Sequence, residues 1–187
     1  MKCLAIHESV CSEFVRACWI DRSIATIDTQ SVRLRYQTLE IGAIDVHLRT
    51  LRDRQQFFDQ GKAAEKLGVP PASWGMFGVV WEASKVLAHL MLDVDIQGKS
   101  FLEVGCGIGL PSLVLSRRQA NVTATDQHPC AESFLEQNTA LNNCSEIPFF
   151  RAAWADIDSE LGRFDVIIGS DLLYEDDHIV LLSGFIE

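Results

Sequence analysis

From Trp81 onward the sequence predicts an α/β fold built on a doubly wound, mostly parallel sheet. Three observations carry this expectation. Apolar runs of strand length alternate with runs at helical spacing. A glycine-rich turn, Gly105-Cys106-Gly107-Ile108-Gly109, joins the first of these strands to the helix after it. Proline stands near the start of two helices (Pro111 and Pro129), where its missing N–H has no partner to lose. Strands alternating with helices imply right-handed βαβ units and hence parallel pairing.

Each element has its own signal. Residues 1–30 fit a helix (Val10, Phe14, Val15, Cys18, Trp19) or an irregular lead-in, and no function is read there. Between 31 and 56 the pattern has period two. Val32, Leu34 and Tyr36 alternate with Arg33, Arg35 and Gln37, and after Gly42 the residues Ile44, Val46 and Leu48 alternate with Asp45, His47 and Arg49. That is a β-hairpin with one wet face. Its basic tail, LRTLRDRQQF, suits a solvated edge better than a substrate-binding surface. Residues 57–80 are rich in Gly and Pro and read as a linker with a short helix near Ala63–Leu67.

Ala83, Val86, Leu87, Leu90, Met91 and Val94 then fall at helical spacing. Strand SFLEVG, the glycine turn, a helix from Pro111, strand NVTATD, a helix from Pro129, strand IPFFRAAW and strand FDVIIGS follow in order. The organisation expected is an N-terminal extension over 1–73 and a core over 74–187.

Composition narrows the function. The chain has 187 residues, 48% of them hydrophobic and 22% charged, which excludes a disordered chain. Its formal net charge is −10, with residues 121–187 alone holding 13 acids against Arg151 and Arg163, so no nucleic-acid partner is expected. Six cysteines show no CxxC spacing and form no ligand pattern with the five histidines. No metal site and a reducing, cytoplasmic location are therefore expected. No membrane-spanning run and no signal-peptide core are found.

The glycine turn sits at the carboxyl end of the first strand, where open α/β sheets bind ligands. A nicotinamide dinucleotide site wants a third glycine where this chain has Leu110. Glu103, two residues before Gly105, would repel a pyrophosphate and attract a cationic amino group. Asp126 ends the second strand, where a carboxylate grips a ribose diol. One acid for an amine and one for a ribose point to S-adenosylmethionine.

The ordered set GVVWEASKVLAHL, FLEVGCGIGLPSLV, TATD, Asn138-x-x-x-Asn142, Trp154 and FDVIIGSDLLYE resembles the class I, seven-β-strand, Rossmann-like methyltransferases that use S-adenosylmethionine. Within them it resembles the protein-lysine methyltransferase-like branch, whose D-x-x-Y motif matches Asp171-Leu172-Leu173-Tyr174. The resemblance implies methyl transfer to a nitrogen acceptor, with a protein lysine as substrate and S-adenosylhomocysteine as product. It implies that Gly105, Gly107 and Gly109 line the cofactor's methionine portion, with Glu103 close by. It places Asp126 on the ribose and Gln127 near the adenine, with Trp154 and Trp81 bordering the cofactor. Ser170 and Asp171 lie below the sulfonium, and Tyr174 on the acceptor side. Asp171 and Tyr174 are the catalytic candidates.

Plainer roles stand beside these: Trp154 and Trp81 as core, Cys106 as a small loop residue, His89 and His128 as helix-surface or cap residues, Asp176 and Asp177 as helix-start acids. A small-molecule N-methyltransferase and a non-catalytic module binding the cofactor or a partner are the competing functions. The family sheet continues beyond its fourth strand, whereas this chain stops at Glu187. A shortened chain lacking the C-terminal strands is therefore expected, with self-association through the bare edge of strand four.

Overall fold

The computed structural model describes residues 33–53, 66, 75–155 and 161–187. The expectations for residues 1–30 and for most of the helix near Ala63–Leu67 lie outside them. Ten elements follow one another: β1 (Leu34–Ile41), β2 (Ile44–Leu51), α1 (Glu82–Asp93), β3 (Ser100–Val104), α2 (Leu110–Arg117), β4 (Asn121–Asp126), α3 (Ala131–Leu141), β5 (Phe149–Arg151), β6 (Val166–Ile168) and α4 (Asp176–Ile186). Strands β3 to β6 form one sheet in the order β5-β4-β3-β6, and every pair in it is parallel. The expected doubly wound α/β architecture is what forms. β5 and β6, with three residues each, are shorter than their apolar runs.

β1 and β2 form the expected antiparallel hairpin, joined at Gly42–Ala43. Its inward face carries Leu39, Ile41, Ile44, Val46 and Leu48, which join the core formed with Phe101, Leu113, Leu115 and Phe134. Two expectations for this hairpin change. Tyr36 is 65% exposed, because beyond Leu34 the inward face of β1 runs through Gln37, Leu39 and Ile41 instead. Arg49, expected on the wet face, is buried against α3. On α1 the inward stripe is Leu87, Ala88 and Met91, where α2 packs, while Val86 and Leu90 are exposed. α2 starts at Leu110 with Pro111 in its first turn, as expected, but α3 starts two residues after Pro129.

The hairpin is tied to the sheet layer through the outer edge of β2. Residues 47, 49 and 51 point their backbone groups away from β1, and each N–H finds a partner. His47 N–H donates to Asn142 Oδ1 (2.8 Å), Arg49 N–H to Asn138 Oδ1 (2.7 Å) and Leu51 N–H to the Gly78 carbonyl (2.7 Å). The amide nitrogens return the bonds. Asn142 Nδ2 donates to His47 O (2.6 Å), and Asn138 Nδ2 to Arg49 O (3.4 Å) and to Ile108 O in the glycine loop (3.0 Å). A spacing of four residues puts both carboxamides on one face of α3, and that face takes the place of a third strand.

Removing one of these carboxamides strands buried backbone groups. Asn138→Ala leaves Arg49 N–H and Ile108 O without partners, at a cost of about 2–4 kcal/mol. Urea unfolding of this variant should show a lower midpoint with an unchanged m-value. A loss below about 0.5 kcal/mol, the scale of an ordinary surface substitution, would mean the edge is satisfied without Asn138.

Candidate functional site

Beyond the carboxyl ends of β3, β4 and β6 lies a cavity of about 730 Å³. That is within the size range of small-molecule sites. Of the residues singled out from sequence, Trp81, Gly105, Gly107, Asp126, Gln127, Trp154, Ser170, Asp171 and Tyr174 line it. Glu103 and Gly109 do not.

The glycine loop forms one wall. Gly105 (φ +60°) and Gly107 (φ +55°) are left-handed, which glycine adopts freely. A Cβ on Gly105 would come within 2.6 Å of the Leu172 side chain, which would have to shift, while one on Gly107 would meet nothing within 4 Å. Space is therefore left for a ligand to approach the Gly107 backbone. Gly109 is buried as the left-handed N-cap of α2.

Asp126 binds this loop to the end of β4. Its Oδ2 accepts from Gly107 N–H (2.8 Å) and its Oδ1 from His128 N–H (2.7 Å). Each carboxylate oxygen has a second lone pair for a ligand. Burial pushes the Asp126 carboxyl above its ordinary value, against the pull of these amides. His128 is buried, stacks on Phe77 (3.8 Å between centroids) and accepts the Cys130 N–H through Nδ1 (3.2 Å). It sits ahead of α3 as a capping group, inside the protein rather than on the surface. Burial, with Arg151 adding to it, lowers its pKa to about 3, so it is neutral at pH 7. Cys106 lines the cavity as a buried thiol whose pKa burial pushes up, which suits a small packing residue and not a thiolate nucleophile.

Glu103 is 2% exposed and turns into the fold. One carboxylate oxygen, Oε2, accepts from both Ser112 N–H (2.9 Å) and Ser112 Oγ–H, so it satisfies the first turn of α2. The structure thus places it as a cap of α2, away from the position expected beside the cofactor's amine. Burial pushes its pKa up to about 7.

The opposite wall follows β6. Asp171 holds a left-handed backbone (φ +54°), which Asp tolerates better than most residues, and strained conformations of this kind gather at functional sites. Tyr174 and Trp154 stand edge-on to the His178 ring, at 4.6 and 5.1 Å between centroids. His178 Nδ1 lies 3.0 Å from the Leu172 carbonyl, which can only accept, so the proton is on Nδ1. Trp81 donates its Nε1–H to the Met76 carbonyl (3.0 Å) and borders the cavity from the start of α1.

His178, Phe77 and Asp177 also line this cavity and were not picked out from sequence as site residues. Asp177 is the helix-start acid of α4, and its position beside Tyr174 and Glu175 gives this wall a concentration of acids. Among the described residues no cluster of His, Cys, Asp or Glu could hold a metal ion. No helix among them is long and apolar enough to cross a membrane.

The buried acid of β3 makes stability depend on pH. Because the folded Glu103 pKa, about 7, exceeds its ordinary 4.5, the native state binds the extra proton. Stability from this group is then greatest below pH 4.5 and falls as pH rises to 7, by on the order of 3 kcal/mol. His128 acts in reverse between pH 3 and 6.5, because there the unfolded state takes up the proton. The two slopes oppose each other, so the informative quantity is the difference between wild type and Glu103→Gln. Urea midpoints should show the variant gaining on wild type from pH 4.5 to 7. Parallel curves would mean Glu103 stays ionised in the folded protein.

A family model described as lysine methyltransferase matches residues 72–187. Protein N-lysine methyltransferase METTL21A of Danio rerio is 35% identical over 126 residues, covering 60% of this chain and 55% of the relative. The electron transfer flavoprotein beta subunit lysine methyltransferase of Rattus norvegicus is 26% identical over 136 residues, covering 71% of this chain and 51% of the relative. The chain spans about half the length of the curated relatives it matches. A T. Thermophilus 16S rRNA N2 G1207 methyltransferase structure has a TM-score of 0.52 at 20% identity, over 74% of this chain and 33% of that one. That likeness is one of fold.

Proposed function

Since this chain belongs to the lysine methyltransferase family, we propose that its cavity binds S-adenosylmethionine and directs the methyl group to a protein lysine amine. The observation that carries the reading is the pairing of two walls. One is a glycine loop whose Gly107 amide is fixed by Asp126, and the other is an acidic, aromatic wall containing Asp171, Tyr174 and His178.

The residues present fit this cofactor. Gly107 leaves an open approach to the backbone, and Asp126 keeps acceptor capacity for a diol. Phe77, Ile108 and Trp154 offer an apolar slot for a base, and Gln127 a polar edge beside it. When bound, S-adenosylmethionine supplies an electrophilic methyl group on a sulfonium. The side chains then have two tasks: binding the reactants and orienting the amine. Asp171 and Tyr174 hydrogen-bond the incoming nitrogen, and Ser170, which lines the cavity beside them, faces the cofactor. The acids Asp171, Glu175 and Asp177 favour a cationic side chain at the mouth. Glu103 acts through the fold, by fixing α2 behind the glycine loop.

The decisive experiment is incubation of the protein with tritiated S-adenosylmethionine and a cell lysate. Label in protein bands, recovered as methyl-lysine on hydrolysis, supports the reading. Label confined to the small-molecule fraction would replace it with a small-molecule N-methyltransferase. No calorimetric binding of S-adenosylmethionine or S-adenosylhomocysteine would remove the cofactor altogether.

Two substitutions separate the walls. Asp126→Ala should weaken S-adenosylhomocysteine binding by about 1.5–3 kcal/mol, the scale of hydrogen bonds to a charged group. Unchanged calorimetric affinity would take Asp126 out of the site. Tyr174→Phe keeps the ring against His178 and loses only the hydroxyl. Turnover should fall with cofactor affinity nearly intact. An equal loss in both would put Tyr174 on the cofactor side.

A further inference from the structure

We propose that His178 is a positioning residue, which latches the Asp171–Tyr174 turn to α4 and so sets where the acceptor amine is held. The inference rests on the lysine methyl-transfer reading above and adds a residue to it. His178 stands outside the D-x-x-Y segment, four residues after Tyr174 and at the third position of α4.

Three parts of the cavity wall meet at this one ring. Its Nδ1–H donates to the Leu172 carbonyl (3.0 Å). The Tyr174 and Trp154 rings stand edge-on to it, at 4.6 and 5.1 Å between centroids. α4 buries none of its residues, so His178 serves the cavity wall rather than a core beneath the helix.

Leu172 is held at two points. Its side chain lies where a Cβ on Gly105 or Gly169 would stand, at 2.6 and 2.5 Å, so these two glycines leave it a seat between the glycine loop and the end of β6. Its carbonyl is held by His178. The residue before it, Asp171, has a left-handed backbone (φ +54°), a conformation that persists only where the surroundings fix it. The seat fixes the Leu172 side chain but leaves the peptide between Leu172 and Leu173 free to turn. The hydrogen bond from α4 removes that freedom. Tyr174 follows this peptide directly, so its direction is set with it.

The ring suits the task in either charge state. Nδ1 carries its proton in this tautomer and in the cationic ring alike. Nε2 lies 3.8 Å from Glu175 Oε2, a carboxylate that pairs with the ring once it is protonated. Protonation therefore leaves the latch closed. Transfer to an amine depends on aim, and a misplacement of about 1 Å costs on the order of 10²-fold in rate. A latch that acts on aim alone changes turnover and not cofactor affinity.

Two variants separate the hydrogen bond from the ring. His178→Phe keeps a ring beside Tyr174 and Trp154 and loses the donor. His178→Asn loses the ring and keeps an N–H at the position of Nδ1. Cofactor affinity is read by calorimetry with S-adenosylhomocysteine. Turnover is read as tritium passed from saturating S-adenosylmethionine to lysines of lysate proteins. His178→Phe should hold the affinity within about twofold and lose about tenfold in rate, the equivalent of one hydrogen bond. His178→Asn should recover the rate to within about threefold of wild type. Equal losses in the two variants would overturn the proposal, as would a loss of affinity matching the loss of rate. A fall in thermal midpoint common to both would also overturn it, because His178 would then be serving the fold. The carbon-13 shift of the Leu172 carbonyl reads the latch without any reaction. It should change in His178→Phe and be kept in His178→Asn, and no change in His178→Phe would sink the latch whatever the rates. Wild-type protein that methylates no lysine would fail the underlying reading instead, with the carbonyl shift still deciding whether His178 holds the turn.

Discussion

The outer edge of β2 is the constraint on which the rest of the structure turns. A two-stranded hairpin is marginal in water, and an open edge wastes its N–H and C=O groups once the face beneath is buried. Here the edge is closed by a helix rather than by a strand. The carboxamides of Asn138 and Asn142 have the donor and acceptor of a peptide unit, and they meet the backbone of Arg49 and His47 in a two-way exchange. The Gly78 carbonyl continues the edge at Leu51. Both tethers run on into the cavity wall. Asn138 also holds Ile108 O, and Gly78 lines the cavity itself. The hairpin core and the glycine loop are therefore positioned by the same side chain, so disturbance of one is transmitted to the other.

Charge around the glycine loop is governed mainly by burial. Glu103, Asp126 and His128 are each taken from water, and in each the neutral form is favoured relative to the free side chain. What differs is the compensation. Asp126 receives backbone amides at both oxygens. Glu103 receives two bonds from Ser112, which limits but does not cancel the effect of burial. His128 gains a ring stack and stays neutral, which spares the site a positive charge where a cationic cofactor is proposed.

What the sequence revealed follows the reach of its signals. Strand, glycine turn, helix and terminal acid are local, so the β3–α2–β4 unit and the cavity positions of Gly105, Gly107 and Asp126 were legible directly. Glu103 was harder. β3 is covered on both faces, and alternation alone cannot say whether an acid at its end turns to the ligand or back to the helix start. Its partner, Ser112, lies nine residues on and carries no motif. Phe77 comes from a glycine-rich stretch that looks like a linker, and His178 from a helix start after the D-x-x-Y segment. Each reaches the cavity only through tertiary packing. Tyr36 was misplaced because the inward face of β1 is set by Leu39 and Ile41 beyond it, not by the apolar Val32–Leu34 run before it. The Asn138–Asn142 pair was visible as a spacing, but its partners lie 89 to 95 residues away along the chain.

Local rules of sequence and structure are broken in three places, and the breaks differ in kind. Glu103 is a buried acid, but the start of α2 needs an acceptor there, so the fold itself accounts for it. Asp171 holds a left-handed backbone three residues beyond β6 and lines the cavity with Tyr174, where strained conformations of this kind gather. Arg49 is explained by neither. Its backbone is satisfied and its guanidinium lies over the Phe134 ring, yet the buried Nε and Nη1 have no hydrogen-bond partner among the described residues.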